Sequence, residues 1–101
     1  MSDRLRPLGE ALGPLLRKLE ERVQAHQELA AGVRAALPAP EKNHVLSAGR
    51  RDATLIVSVD SAAWASRLRY LQENLLEGLR AQGVTEFTKV KVRVGRRGGS
   101  G

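Results

Sequence analysis

The sequence predicts a small α+β domain, ordered helix, strand, strand, helix, strand. Three observations carry this. Apolar residues recur at helical spacing over residues 14–37. Two short runs rich in apolar and β-branched residues, 44–48 and 54–59, flank a polar stretch. A second helical stripe, from Ala62 to about Gln82, leads to a strictly alternating run at 87–94. A strand–helix–strand unit within one sheet is a right-handed parallel crossover. The product is a three-stranded mixed sheet with helices packed on one face.

The first helix is expected to start at Pro14, because proline suits the first turn of a helix and not its interior. Leu12, Leu16, Leu19, Val23, His26, Ala30, Val33 and Leu37 step by 4 and 3 alternately, with charged residues opposite. The stop is Pro38-Ala39-Pro40. At about 1.5 Å per residue the helix is about 36 Å long, which spans or overruns a compact domain of this size. Its stripe is expected mainly to cover the chain's own sheet, with a partner helix as the alternative.

The stretch from Gly49 to Ala53 is expected to turn a hairpin. Asp60-Ser61 offers an N-cap for the second helix, whose apolar face holds Trp64, Leu68, Leu71, Leu75 and Leu79. Gly83 stands where a left-handed C-terminal residue is wanted. Trp64 is expected in the core and Tyr70 off the main stripe, partly exposed. The chain divides into an N-terminal segment at 1–13, a folded domain at 14–95 and a flexible basic, glycine-rich tail at 96–101.

Composition narrows the function. The chain has 101 residues, a formal charge of +6 and no cysteine. Disulfides, thiolate nucleophiles and cysteine-held metals are therefore excluded. No apolar run approaches the ~20 residues that cross a bilayer, and residues 1–13 lack the apolar stretch of a secretory signal. A cytosolic protein that meets something anionic is expected.

The charge is unevenly placed. Residues 1–40 hold six basic and five acidic residues, whereas residues 41–101 hold eleven and six. Within the last strand Lys89, Lys91 and Arg93 alternate with Val90, Val92 and Val94. Alternation sends the valines to the core and lines the cations up outside, about 7 Å apart. Arg96 and Arg97 extend the row, and Arg50 and Arg51 in the hairpin turn are lesser candidates. Phosphates of a stretched single strand are similarly spaced. Protection of an edge strand against aggregation is the competing explanation.

Catalysis has little support. Asp60 and Ser61 with His26 or His44 contain the residue types of a triad, but helix capping explains the pair better. Paired carboxylates, a phosphate-binding loop and metal-ligand spacing are absent from the sequence, so neither a metal nor another cofactor is expected. Gly95-Arg96-Arg97-Gly98 matches GxxG literally. The clamp of that pattern in KH domains lies between two helices, so this copy reads as tail.

The segment Leu55–Arg69, LIVSVDSAAWASRLR, resembles the DciA family of bacterial replication proteins. The ending KVKVRVG, residues 89–95, is similar to that family's last strand, and the likeness covers roughly residues 12–95. The resemblance implies a KH-like α-β-β-α-β domain that binds DNA and assists loading of the replicative helicase DnaB onto single-stranded DNA.

The expected function is thus a non-enzymatic DNA-binding adaptor of replication, cytoplasmic and nucleoid-associated. The expected partners are single- or double-stranded DNA and, from the resemblance, DnaB, and the expected state is a monomer or weak dimer. Lys89, Lys91, Arg93, Arg96, Arg97, Arg50 and Arg51 are the nucleic-acid candidates. Val23, His26 and Ala30 on the first helix are the candidates for a protein contact. The alternatives are an RNA-binding KH-like module and an interaction domain that dimerises through the first helix.

Overall fold

The computed structural model describes residues 2–95, with side chains from residue 12 onward. Its elements are α1 (Ser2–Ala36), a 3-10 turn (Glu41–His44), β1 (Val45–Arg51), β2 (Thr54–Val59), α2 (Ala62–Tyr70), α3 (Gln72–Ala81) and β3 (Lys89–Val94). β1 and β2 pair antiparallel, β2 and β3 pair parallel, and the order across the sheet is β1-β2-β3. This is the expected mixed sheet with a helical layer, and the element order fits a KH-like fold.

α1 departs from expectation at its start. It begins at Ser2 and passes through Pro7 and Pro14 without a break. An interior proline removes one backbone bond and costs roughly 3 kcal/mol. Around Pro14, Leu12, Leu15, Leu16, Arg17, Lys18 and Leu19 are all strong helix formers and carry the helix across. At about 1.5 Å per residue α1 is about 52 Å long, close to the 58 Å longest extent of the molecule. The radius of gyration, 17.2 Å, exceeds the roughly 13 Å of a compact chain this size.

The helix therefore has two parts. Ala30, Val33 and Leu37 are buried against the sheet and α3. Leu12, Leu15, Leu16, Leu19 and Val23 carry the same stripe outward and are 42 to 55 % exposed. Own-core coverage accounts for the C-terminal turns and not for the projecting arm. Arg34 Nη2 fastens the buried part by donating to the Val45 carbonyl at 2.9 Å.

The hairpin is tighter than predicted. β1 continues to Arg51, which pairs with Thr54, so only Asp52 and Ala53 form the loop. Asp52 takes φ 55°, the left-handed conformation that two-residue hairpin loops demand and that aspartate tolerates. Gly83 adopts φ 90° at the end of α3, as its position predicted. Ser61 caps α2, its Oγ accepting from the Trp64 N–H at 3.4 Å.

The predicted single helix from 62 to 82 is two. Leu71 has φ −95° and ψ 11°, away from helical values, and divides α2 from α3. Its N–H is shared between the carbonyls of Arg67 and Leu68. Both helices put apolar faces into one core, where Leu55, Val57 and Val59 of β2 meet Leu68, Leu75, Leu79 and Val33, all fully buried. Phe87 lies just before β3 and is buried.

Not all the valines of β3 enter that core. Val92 is buried, Val90 is half-buried and Val94 is 51 % exposed. β3 is an edge strand.

α1 and α3 cross closely at Gly78. A Cβ there would stand 2.6 Å from the Ala36 Cβ and 3.2 Å from its Cα. Gly78→Ala therefore destabilises the domain by about 1–3 kcal/mol through overpacking, despite a helix-propensity gain of about 1 kcal/mol. Urea unfolding monitored by circular dichroism checks this.

The 3-10 turn is held to the β2–α2 connection and to α2 by one pair each. His44 Nδ1 lies 3.0 Å from both Asp60 carboxylate oxygens, and its ring stacks on Trp64 at 3.9 Å between centroids. Trp64 is thus half-buried at the margin of the core. Arg67 Nε donates to Glu41 Oε2 at 3.0 Å, and Glu41 is buried. The Arg67 guanidinium, bonded to the Glu41 carboxylate, holds that carboxyl below its ordinary 4.5. A depressed carboxyl stabilises the fold above the unfolded-state value, and the contribution is lost as pH falls through the folded one. Glu41→Gln should lower the urea midpoint at pH 7, and the gap from the parent should close on acidification below ~4.

Candidate nucleic-acid interface

The sheet register determines which basic side chains meet. Across the sheet the residues align as Arg51, Thr54 and Lys89; then Gly49, Ile56 and Lys91; then Ser47, Ser58 and Arg93. The alternate rows, Ala48-Val57-Val92 and Arg50-Leu55-Val90, belong to the helical side. Lys89, Lys91 and Arg93 therefore share the face turned away from the helices, and all three are exposed. Arg51 stands in the same row as Lys89, two strands away. These aligned rows contain four cations and no acid.

Arg93 is oriented as well as exposed. Its Nε donates to Ser58 Oγ at 3.0 Å, and Ser58 is buried on β2. That bond draws the guanidinium across to β2 on this face. Gly95 keeps this end open: a Cβ there would lie 3.3 Å from the Ser58 Cβ and 3.4 Å from Leu46 Cδ1.

Arg50 does not join this surface. The hairpin register turns it to the opposite face, where it pairs with Glu86 and its guanidinium sits 5.5 Å from the Phe87 ring centroid. Adjacent residues of a strand point to opposite faces, so the Arg50-Arg51 pair is divided between the two sides. Arg96 and Arg97 lie outside the described residues.

Two arginines of α2, Arg67 and Arg69, bond outside their own helix. Arg69 Nη2 donates to the Val92 carbonyl at 3.1 Å, tying the end of α2 to the edge strand. Arg67 carries the Glu41 pair and lies 5.7 Å from the Tyr70 ring centroid. No sequence pattern announced Arg69, because its partner is a backbone carbonyl twenty-three positions away.

The three candidates on α1 separate. Val23 is exposed on the arm. His26 is exposed and borders a cleft of about 290 Å3 that Leu29, Leu79 and Phe87 also line. Ala30 is 5 % exposed, because the last turns of α1 lie on the sheet, and it is part of the chain's own core.

The triad residue types noted in the sequence have other partners here. Asp60 does meet His44, but Ser61 Oγ is the cap of α2 and the His44 ring is stacked on Trp64. Among the described residues no group of three histidines or carboxylates has the spacing of a metal site. The junction between α2 and α3 reads Tyr70-Leu71-Gln72 and carries no GxxG.

Residues 7–92 match the family described as Dna[CI] antecedent, DciA. The chain belongs to the DciA family. Membership implies a part in loading the replicative helicase during DNA replication, in a family of loaders and not of known enzymes. No curated protein matches the chain. Among the described residues no helix is long and apolar enough to cross a membrane.

Proposed function

We propose that this DciA-family chain is a non-enzymatic DNA-binding adaptor that assists loading or activity of the replicative helicase DnaB on single-stranded DNA in the cytoplasm, at the nucleoid. The observation that carries the DNA part is the acid-free sheet face with Lys89, Lys91 and Arg93 along its edge strand and Arg51 across it. Successive cations on one face of a strand stand about 7 Å apart, which suits the phosphates of an extended strand. Contacts between such cations and phosphates are electrostatic and weakly sequence-dependent.

A specific observation supports a protein contact at a separate place. The stripe of Leu12, Leu15, Leu16, Leu19 and Val23 projects from the domain and is exposed among the described residues. We assign it to protein docking, with the helicase as the occupant that family membership favours and a second copy of this chain as the alternative.

Neutralising about four phosphates of a single strand predicts log K falling with log salt at a slope of about −3. Lys89→Glu with Lys91→Glu and Arg93→Glu should abolish binding of a fluorescent single-stranded oligonucleotide while the circular dichroism spectrum is kept. Unchanged affinity in that folded variant defeats the assignment. Leu16→Glu with Leu19→Glu should weaken capture of purified DnaB and leave oligonucleotide affinity intact. Sedimentation of the parent as a dimer, and of this variant as a monomer, would assign the stripe to self-association instead.

A further inference from the structure

Gly49 lies inside β1, and a glycine inside a strand weakens it. The ordinary reasons for one do not apply here. Its backbone is outside the left-handed region. Its pairing is regular, Gly49 facing Ile56, and the irregularity of β1 lies earlier, between Val45 and Ser47. It is not crowded either. Among the described residues a Cβ there would meet His26 Nε2 alone, at 3.8 Å, an ordinary contact distance. A strand glycine also marks a place where a ligand comes close to the backbone.

The register gives the face on which that place lies. Gly49, Ile56 and Lys91 form one row across the sheet, on the side turned away from the helices. Ile56 is half-buried, an apolar side chain between a glycine and a lysine on the acid-free face. With strands about 4.8 Å apart, Ile56 stands about 5 Å and Gly49 about 10 Å inward from Lys91. His26, exposed on α1, stands beside the space that a Gly49 side chain would fill. The adjoining row differs, because Ser58 is buried there and takes the bond from Arg93.

Resting on the DNA-binding reading above, we propose that Gly49 and Ile56 form a shelf for an unpaired base of the single strand whose phosphates follow Lys89, Lys91 and Arg93. A nucleotide held by its phosphate at Lys91 lays its base inward on Ile56. The missing side chain of Gly49 gives the flat ring room, and His26 borders the shelf beside it. Packing a base against an aliphatic side chain removes apolar surface of both from water and reads no sequence. The bases of a duplex are stacked on each other and do not reach the shelf. The basic row attracts both forms of DNA; the shelf favours the single strand.

The test is an anisotropy titration of the full chain against a labelled oligothymidine, a duplex and an abasic strand of equal length. Gly49→Val fills the shelf with a residue that strands favour, so its melting temperature should equal or exceed the parent's. It should weaken oligothymidine binding about tenfold, what completing the burial of one half-exposed isoleucine is worth. The salt slope and the duplex affinity should stay as in the parent, and on the abasic strand the two proteins should bind alike. Ile56→Ser, which removes the apolar floor, should show the same pattern and carries the comparison if Gly49→Val does not fold. Parent-like binding of oligothymidine by folded Gly49→Val overturns the proposal, as does an equal loss on single strand and duplex. If Lys89→Glu with Lys91→Glu loses binding while Gly49→Val and Ile56→Ser do not, the shelf alone falls. If the parent binds none of the three, the DNA-binding reading falls and takes this one with it.

Discussion

The parallel pairing of β3 with β2 is the constraint on which the candidate site depends. β2 lies between the other two strands, and Leu55, Val57 and Val59 are fully buried under the helices. In the register Leu55–Val90, Val57–Val92 and Val59–Val94, β3 adopts the same phase. Side-chain direction along a strand has a period of two, so a slip of one residue would turn Lys89, Lys91 and Arg93 into the core. Buried Val92 makes that slip prohibitive. The basic row is thus fixed by the packing behind it, and the crossover through α2 and α3 makes the pairing parallel. Arg69, bonded to the Val92 carbonyl, secures the outer edge of the same strand.

The long helix divides labour differently. Its last turns contribute to the core through Ala30, Val33 and Leu37, while Leu12 to Val23 extend one apolar stripe beyond the domain. A charged sheet face and an apolar helical arm are separate surfaces with different chemistry. One suits a polyanion, and the other suits a protein. The proposed adaptor role calls on both surfaces.

Much of this was legible in the sequence, and the misses share a cause. The alternation of 89–94, the cap at Ser61 and the left-handed Gly83 follow from local stereochemistry, and each was readable. The passage of α1 through Pro14 was not, because a rule about single residues underestimates the helix formers on both sides. The break at Leu71 was hidden because Leu68, Leu71, Leu75 and Leu79 keep helical spacing across it. The division of Arg50 from Arg51 depends on a two-residue loop, and a shift of one position in the predicted turn reverses both side chains. The pairs His44–Asp60, Arg67–Glu41 and Arg69–Val92 join positions far apart in the chain. Such contacts leave no local pattern to read.

Amide chemical-shift mapping tests the central claim most directly. In a nitrogen-15 spectrum titrated with a short oligothymidine, the account predicts the largest shifts at Arg51, Thr54, Ser58 and Lys89 through Gly95, with the α1 arm at 15–24 unmoved. Shifts confined to that arm, with the amides of β3 unchanged at saturating oligonucleotide, would contradict it.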